Sequence, residues 1–410
     1  FSIINKIIYI FLKYPKFSKD KEIVITDSFE INNPTKFISK KIIFDRIIFL
    51  TNNKDKADEL IKNIYRFTEL KFFYFFIYNF LKFRGFLIKE KIILFIYLKY
   101  YFEKQIFLKI FKKYKIKKYV SSFIAQPFVS SANSAIEELG GKSIGFTISY
   151  SENYRSSQNI DAFNYFLSFN NCEYKKRKNS RLKEIVRLGY IGDYKFKDKK
   201  NEAKILKEKL NKLGCEYIIG LFDQGSVNDN FFNIGHEKSR EAYKFLLEKV
   251  ILNQKLGLII KPKKPKLLKT KLGNVYNLLI KAKDTGRCVV FENFHKDHVK
   301  NFEDIPAKIS MACNITIHDT LLAGTAGLES ALTGTKSVYF DYYNSSKSQF
   351  DKDNLKIVFR DWNKLWDEIL NDYKHGDDRL GNWTNIINKF DIFRDGKTNI
   401  RIMNFLTENI

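Results

Sequence analysis

The sequence predicts an α/β protein of two doubly wound domains facing each other across a cleft. Three observations predict it. Short apolar runs alternate with longer amphipathic stretches along the whole chain, the sequence form of strands joined by helical crossovers. A polar, strongly basic run, NNCEYKKRKNSRLKEI around residues 170–185, separates two such series and reads as a linker or exposed hairpin. The chain's 410 residues, 44% of them hydrophobic, suffice for two cores of ordinary size.

In the first series, KEIVITDS and DRIIFLTN read as strands and KADELIKNIYRFTEL as an amphipathic helix, with further helices to about Lys118. KYVSSFIA and KSIGFTIS are the next strands. They flank the helix SANSAIEELGG, whose Gly140 and Gly141 supply a C-terminal stop. The second series opens near IVRLGYIGD and continues with a helix over 200–213, the strand EYIIGLFD and the loop QGSVNDN. A helix over 237–253 follows, on which Tyr243, Leu246, Leu247, Val250 and Ile251 share one face. Then come the strand LGLIIKPKKP, the helix VYNLLIKAK and the strands RCVVFEN and ACNITIHD. WNKLWDEILNDYKHGDD and NWTNIINKFDIF read as two terminal helices. The expected domains are 1–180 and 181–375, followed by the terminal segment 376–410. Doubly wound sheets bind ligands at the carboxyl ends of their strands, so the cleft between the halves is the expected site.

Composition narrows the class. The chain carries 72 Lys and Arg against 46 Asp and Glu, a net charge of +26. Such a charge suits a polyanionic partner. The residues in excess, however, are Lys, Ile, Asn, Phe and Tyr, the amino acids of AT-rich codons, and the lysines are spread along the chain with no nucleic-acid-binding motif. No nucleic-acid partner is expected. The four cysteines are far apart with no C-x-x-C pair, which fits a reducing cytoplasm. No run reaches the roughly 20 apolar residues of a membrane-spanning helix. Aromatic and lysine residues interleaved from Phe72 to Tyr119 suit either buried helices with outward lysines or contact with an anionic leaflet. The expected location is the cytoplasm, peripheral to the inner membrane. Because the sequence opens on Phe1, no targeting segment is read from its start.

The least lysine-rich stretch, ITIHDTLLAGTAGLESALTGTKSVYFD over 315–341, reads strand, tight turn, helix, turn, strand. Gly324 and Gly327 permit an unusual backbone and close approach, and Gly334 ends the helix. Free amides at 323–326, including those of Gly324, Thr325 and Ala326, favour a phosphate through hydrogen bonds and the helix dipole. Glu329 lies one turn on, where a carboxylate can accept both hydroxyls of a ribose. The plain alternative makes Thr325 a helix cap and Glu329 a locally bonded side chain. A capping box places the acid three residues after the cap, and the spacing here is four, so capping does not account for Glu329.

Two further strand exits carry polar groups. In LIIKPKKPKLL, Lys261 ends a strand and Lys263 follows Pro262, suiting a di-anionic leaving group, although lysine runs are usually only solvated. In LFDQGSVNDNFF, Asp223 and Gln224 leave a strand as a polar loop that a routine strand-to-helix turn also resembles.

Together these stretches resemble the nucleotide-binding half of glycosyltransferases with the GT-B fold. AGTAGLESALTGTKSVYF is similar to that family's S/T-x-x-x-E-A-x-x-x-G-x-P-V pattern, with Thr325 at the hydroxyl position, Glu329 at the ribose-binding acid and Gly334 at the turn glycine. IIKPKKP resembles the K-P-H-P strand exit of bacterial capsule and teichoic-acid transferases; Lys263 stands where that family often has His, so the histidine's role is not carried over. SVYF departs from the usual proline-containing strand entry. The resemblance spans roughly 185–370 and implies two Rossmann-like domains, with the terminal segment 376–410 packing back on the first. It also implies an enzyme of surface-polysaccharide (capsule or lipopolysaccharide) synthesis, moving a sugar from a CMP-Kdo-like or UDP-linked donor to a glycan or glycolipid acceptor.

An inverting transferase of this kind needs a general base, normally from the acceptor half. All five histidines, His236, His295, His298, His318 and His375, lie in the second half. The expected base is therefore a carboxylate, Glu152 in SYSENY first, then Asp161 and Glu138. No metal site and no cofactor is expected, since lysine and helix amides serve the phosphates; His295 and His298 read as an exposed helix start. The chain has neither a G-x-x-x-x-G-K-[ST] loop nor a G-x-G-x-x-G fingerprint, which argues against a phosphate-loop NTPase and a nicotinamide dehydrogenase. A nucleotide-sugar epimerase of the same fold and a basic protein that binds nucleic acid or a membrane surface are the alternatives.

Overall fold

Parallel strands joined by helical crossovers are what the alternating pattern requires, and every strand pairing seen is parallel. The computed structural model describes residues 23–26, 47–50, 88–113, 115–121, 127–146, 162–169, 180–226, 235–292, 305–321, 324–343, 350 and 355–407. Their strands form two six-stranded sheets, one in each of two compact units. Unit 1 comprises Phe1–Ile148, Arg155–Leu188 and Asn399–Ile410; unit 2 comprises Ser149–Tyr154 and Gly189–Thr398. The fold class is α/β with two Rossmann-like, doubly wound sheets.

In unit 1 the strands are β1 (Ile23–Thr26), β2 (Ile47–Leu50), β3 (Lys118–Ser121), β4 (Lys142–Phe146), β5 (Tyr165–Ser168) and β6 (Glu184–Arg187), in the order β2-β1-β3-β4-β5-β6. Helices α1 (Ile88–Lys113) and α2 (Pro127–Glu138) bury Phe107, Phe111, Val129 and Ile136 against Tyr119, Phe163 and Phe166. The helix α2 ends as its glycines imply: Gly140 takes φ +76°, and a side chain on Gly141 would strike the Lys117 carbonyl at 2.6 Å. The last two residues of the stretch read as a linker, Glu184 and Ile185, and the first residues read as the second series form β6, an edge strand of unit 1 whose half-buried Ile185 and Val186 give only a weak apolar signal. The sheet of unit 1 thus runs past residue 181.

Unit 2 holds β7 (Tyr217–Asp223), β8 (Leu256–Pro262), β9 (Cys288–Val290), β10 (Ile315–His318), β11 (Lys336–Phe340) and β12 (Val358–Phe359), in the order β12-β11-β10-β7-β8-β9. Its helices are α3 (Phe196–Lys212), α4 (His236–Leu252), α5 (Leu268–Leu272), α6 (Val275–Asp284), α7 (Pro306–Ala312), α8 (Thr325–Leu332) and α9 (Trp362–His375). Period-2 alternation feeds two cores. Tyr217, Ile219 and Leu221 of β7 pack with Tyr243, Leu247, Leu279 and Trp362 from α4, α6 and α9. On the other face Ile218 and Phe222 pack with Ala203, Leu210 and Ile309 from α3 and α7. Both faces of the sheet are covered, so its strands read as continuous apolar runs.

The stretch NWTNIINKFDIF is not a helix. Among its residues only Ile387–Lys389 makes a 3-10 turn. Trp383 donates its indole N–H to the Ser337 carbonyl at 2.9 Å and packs with Phe350 and Phe390, so tertiary contacts override the periodic pattern. The final helix, α10 (Thr398–Thr407), lies almost wholly in unit 1, where Lys118 donates to the Leu406 carbonyl and Phe405 meets Tyr165 edge-on. KADELIKNIYRFTEL lies outside the described residues. Among the described residues no helix is long and apolar enough to cross a membrane.

Candidate functional site

Strand order in unit 2 decides where chemistry can gather. From β7 the chain steps outward through β8 to β9; it then returns to the other side of β7 as β10 and steps the opposite way to β11 and β12. The crossovers reverse between β7 and β10, and ligands of such sheets bind beyond the carboxyl ends of the two strands at that point. Phe222 of β7 is paired in register with His318 of β10, so Asp223 and Asp319 lie side by side at this edge.

Asp223 is buried and fully engaged. Its Oδ2 accepts from the Lys271 ammonium and from the Tyr243 hydroxyl at 2.8 Å, and its Oδ1 accepts from the Gly225 amide at 2.6 Å. Its carbonyl accepts from the Lys263 amide at 3.0 Å, tying the exits of β7 and β8 together. Gly225 takes φ +88°, the left-handed turn that folds its own amide back onto the carboxylate two residues earlier. Asp319 Oδ1 accepts the Gln224 amide at 2.8 Å and so bridges β10 to β7. Burial, then the charge on Asp223, push the Asp319 carboxyl up to about 8 against the Gln224 N–H, Lys271 and Lys263. His318 beside it is pushed down to about 4 by burial, and is thus neutral at physiological pH. A step away, Ser226 Oγ lies 2.6 Å from His236 Nδ1 at the start of α4.

The small-residue turn follows β10. Gly324 has φ −83°, and the glycines are there for close approach rather than unusual backbone: a side chain on Gly324 or Gly327 would strike the Tyr339 ring at 2.5 Å. The Tyr339 hydroxyl donates to the Gly324 carbonyl at 2.7 Å and fixes the turn. Gly324 is the N-cap of α8, so Thr325 is its first helical residue and not a cap. Ala326 packs against the core beneath α3 and α7. Gly334 takes φ +84° and ends α8.

Glu329 is 7% exposed. Its Oε1 accepts the Ala307 amide at 2.7 Å, at the first turn of α7, and its Oε2 accepts the Tyr190 hydroxyl at 2.7 Å. Tyr190 is held in turn by its own amide on Asp391 and by stacking on Phe196. The acid that the motif marks is therefore held through both of its oxygens.

The structure brings Asp223, Gln224, Lys263 and Gly324 to one edge of the unit 2 sheet, with Lys261 half-buried near the end of β8 and Thr325, Ala326 and Glu329 in the first turns of α8. Glu152, Asp161, His295 and His298 lie outside the described residues. Sequence reasoning missed Asp319, Lys271 and Tyr190, and placed Tyr243 only in a core. The signal for Asp319 was its place, directly after a strand and just before the turn. Lys271, one lysine among many and distant in sequence, gave none. Among the described residues no group of three or more His, Cys, Asp or Glu side chains is placed to hold a metal ion.

No family model and no curated protein matches this chain. Solved structures do. The wall teichoic acid polymerase TagF (H444N variant) aligns over 94% of this chain and 88% of its own at 12% identity and TM-score 0.53. S. aureus MnaA in its UDP co-structure aligns over 94% and 96% at 10% identity and TM-score 0.55. The UDP-GlcNAc 2-epimerase of Methanocaldococcus jannaschii aligns over 95% and 99% at 14% identity and TM-score 0.52. At such identities the likeness is one of fold. The chain has the GT-B-type fold, two Rossmann-like α/β domains.

Proposed function

We propose that the chain is a glycosyltransferase that moves a sugar from a CMP- or UDP-linked donor to a glycan or glycolipid acceptor in bacterial surface-polysaccharide synthesis. The observation that carries this reading is Glu329, a buried acid held one turn into a helix that starts at the carboxyl edge of the unit 2 sheet, beside the point where the crossovers reverse. In this reading the amides of Gly324, Thr325 and Ala326 and the Thr325 hydroxyl meet the donor phosphates. Lys261 and Lys263 neutralise the leaving group. Glu329 accepts from the ribose hydroxyls. Glu152 or Asp161 takes the proton of the acceptor hydroxyl, and the reaction is inverting and metal-independent.

An anionic inner-membrane surface fits as a further partner. Ile92, Ile93, Ile96 and Tyr97 are exposed on α1 and continue the same helical stripe that buries Ile106, Phe107, Ile110 and Phe111, in a helix with seven lysines and two glutamates.

The test is a thermal-shift screen against CMP, CDP, UMP, UDP and GDP, repeated on Glu329→Gln. Stabilisation by one pyrimidine nucleotide, lost in the variant, supports the reading; no stabilisation by any of them overturns it. Incubation of the matching nucleotide sugar then separates the two enzyme classes. Release of nucleotide that depends on added acceptor is transfer, whereas a changed sugar still attached to its nucleotide is epimerisation.

A further inference from the structure

The paired acids at the strand ends are not equivalent. Asp223 has the ammonium of Lys271, the hydroxyl of Tyr243 and the amide of Gly225. Asp319, 2% exposed, has only the Gln224 amide on Oδ1, and its other oxygen takes no hydrogen bond among the described residues. Two buried carboxyls served by one closely paired ammonium do not both ionise cheaply, and the proton goes to the carboxyl with fewer donors.

We infer that Asp319 presents an un-ionised carboxyl at the β7/β10 edge, whose O–H donates a hydrogen bond to an anionic oxygen of the bound donor, a phosphate or an acidic sugar. The inference rests on the nucleotide-sugar reading and adds a residue and a chemical role to it. A carboxylate at this position would repel the phosphate that the neighbouring helix start favours; a carboxylic acid attracts it and needs no extra cation. The donor set supports this assignment, and so does the upward push on the Asp319 carboxyl. The groups facing it are Asp223 on β7, Lys263 after β8, Lys271 on α5, Tyr243 on α4, and Tyr342 after β11. Burial pushes both tyrosines well above their ordinary range, so neither supplies a charge at neutral pH. His318, neutral as well, offers Asp319 no compensating cation.

The experiment measures binding of CDP and UDP by calorimetry from pH 7 to 9 for the full chain and for Asp319→Ala and Asp319→Asn. An amide donates a hydrogen bond as a carboxylic acid does, and does not titrate. Asp319→Ala is expected to lose about tenfold in affinity, the loss of one hydrogen bond to a charged group. Asp319→Asn should recover most of that loss. Native affinity falls as pH rises through the Asp319 titration, while Asp319→Asn stays flat. Equal affinity of Asp319→Ala and the native chain, or the same pH profile for the native chain and Asp319→Asn, overturns the inference while leaving the glycosyltransferase reading intact. Absence of any nucleotide binding to the native chain overturns both. Should Asp319→Ala fail to fold, melting temperatures of the native chain and Asp319→Asn from pH 5 to 8 decide. A carboxyl raised on folding makes the native state bind more protons than the unfolded one, so native stability falls relative to Asp319→Asn across that range. A constant gap refutes the protonated carboxyl.

Discussion

Removing the Tyr190 hydroxyl asks whether Glu329 is fixed as its geometry says. The bond from Tyr190 to Glu329 Oε2 is buried and 2.7 Å long. A hydrogen bond to a charged group contributes about 1.5–3 kcal/mol. Because Oε1 keeps the Ala307 amide at 2.7 Å, Tyr190→Phe falls at the low end, about 1.5–2 kcal/mol by the same scale. In a domain the size of unit 2 that lowers the melting temperature by roughly 3–8 °C. Glu329→Ala costs more, since it strands both the Ala307 amide and the Tyr190 hydroxyl, at about 1–3 kcal/mol for each buried group left without a partner. Glu329→Gln keeps an acceptor for Ala307 and is the milder change. The assay is urea unfolding of Tyr190→Phe, Glu329→Gln and the double variant. A coupling of about 1 kcal/mol or more is expected for residues in direct contact. Effects that add within about 0.3–0.5 kcal/mol would refute the bond. One practical consequence follows for nucleotide screening: affinity in Glu329 variants must be read as the shift each ligand causes, not as an absolute melting temperature.

Three other expectations test separate parts of unit 2. Lys271→Met leaves the Asp223 carboxylate buried without its ammonium and should cost about 3–5 kcal/mol in denaturant unfolding, with partial recovery in Asp223→Asn/Lys271→Met; a loss below about 1 kcal/mol would break the pairing argument. Gly327→Ala drives a methyl into the Tyr339 ring, where 2.5 Å is available, and should cost about 1–3 kcal/mol, so an unchanged melting temperature would mean the turn does not pack as described. Lys356 and Arg379 hold the Asp377 carboxyl well below the usual carboxylate range. A depressed carboxyl contributes stability above its unfolded pKa of about 3.9 and loses it as pH falls through the folded value. Asp377→Asn should therefore destabilise at pH 7 and converge with the native chain in strong acid; parallel pH profiles would refute this.

Local chemistry made much of the architecture legible. Apolar runs such as YIIGLFD, LGLIIKP and ITIH are strands because a parallel sheet covered on both faces needs apolar side chains on both. Gly140 and Gly334 mark helix ends because their left-handed backbone suits glycine alone. The turn at Gly324 and the acid at Glu329 stood out by spacing. Elsewhere the pattern misleads: EIVR, read as the end of a linker and the start of the second series, is the edge strand β6 of unit 1, with Glu184 and Arg187 exposed, and NWTNIINKFDIF carries helical spacing that serves a buried aromatic cluster instead.

The sequence by itself determined the α/β class, the boundaries of the central strands and the first turn of α8, because those depend on residues within one turn or one strand of each other. Only the tertiary structure decided that Asp223, Lys271 and Asp319 meet, that Tyr190 reaches Glu329 across 139 positions, and that β10 returns beside β7. Strand order is set by how whole helices cover the two faces of a sheet, and no local pattern records which neighbour a strand will take.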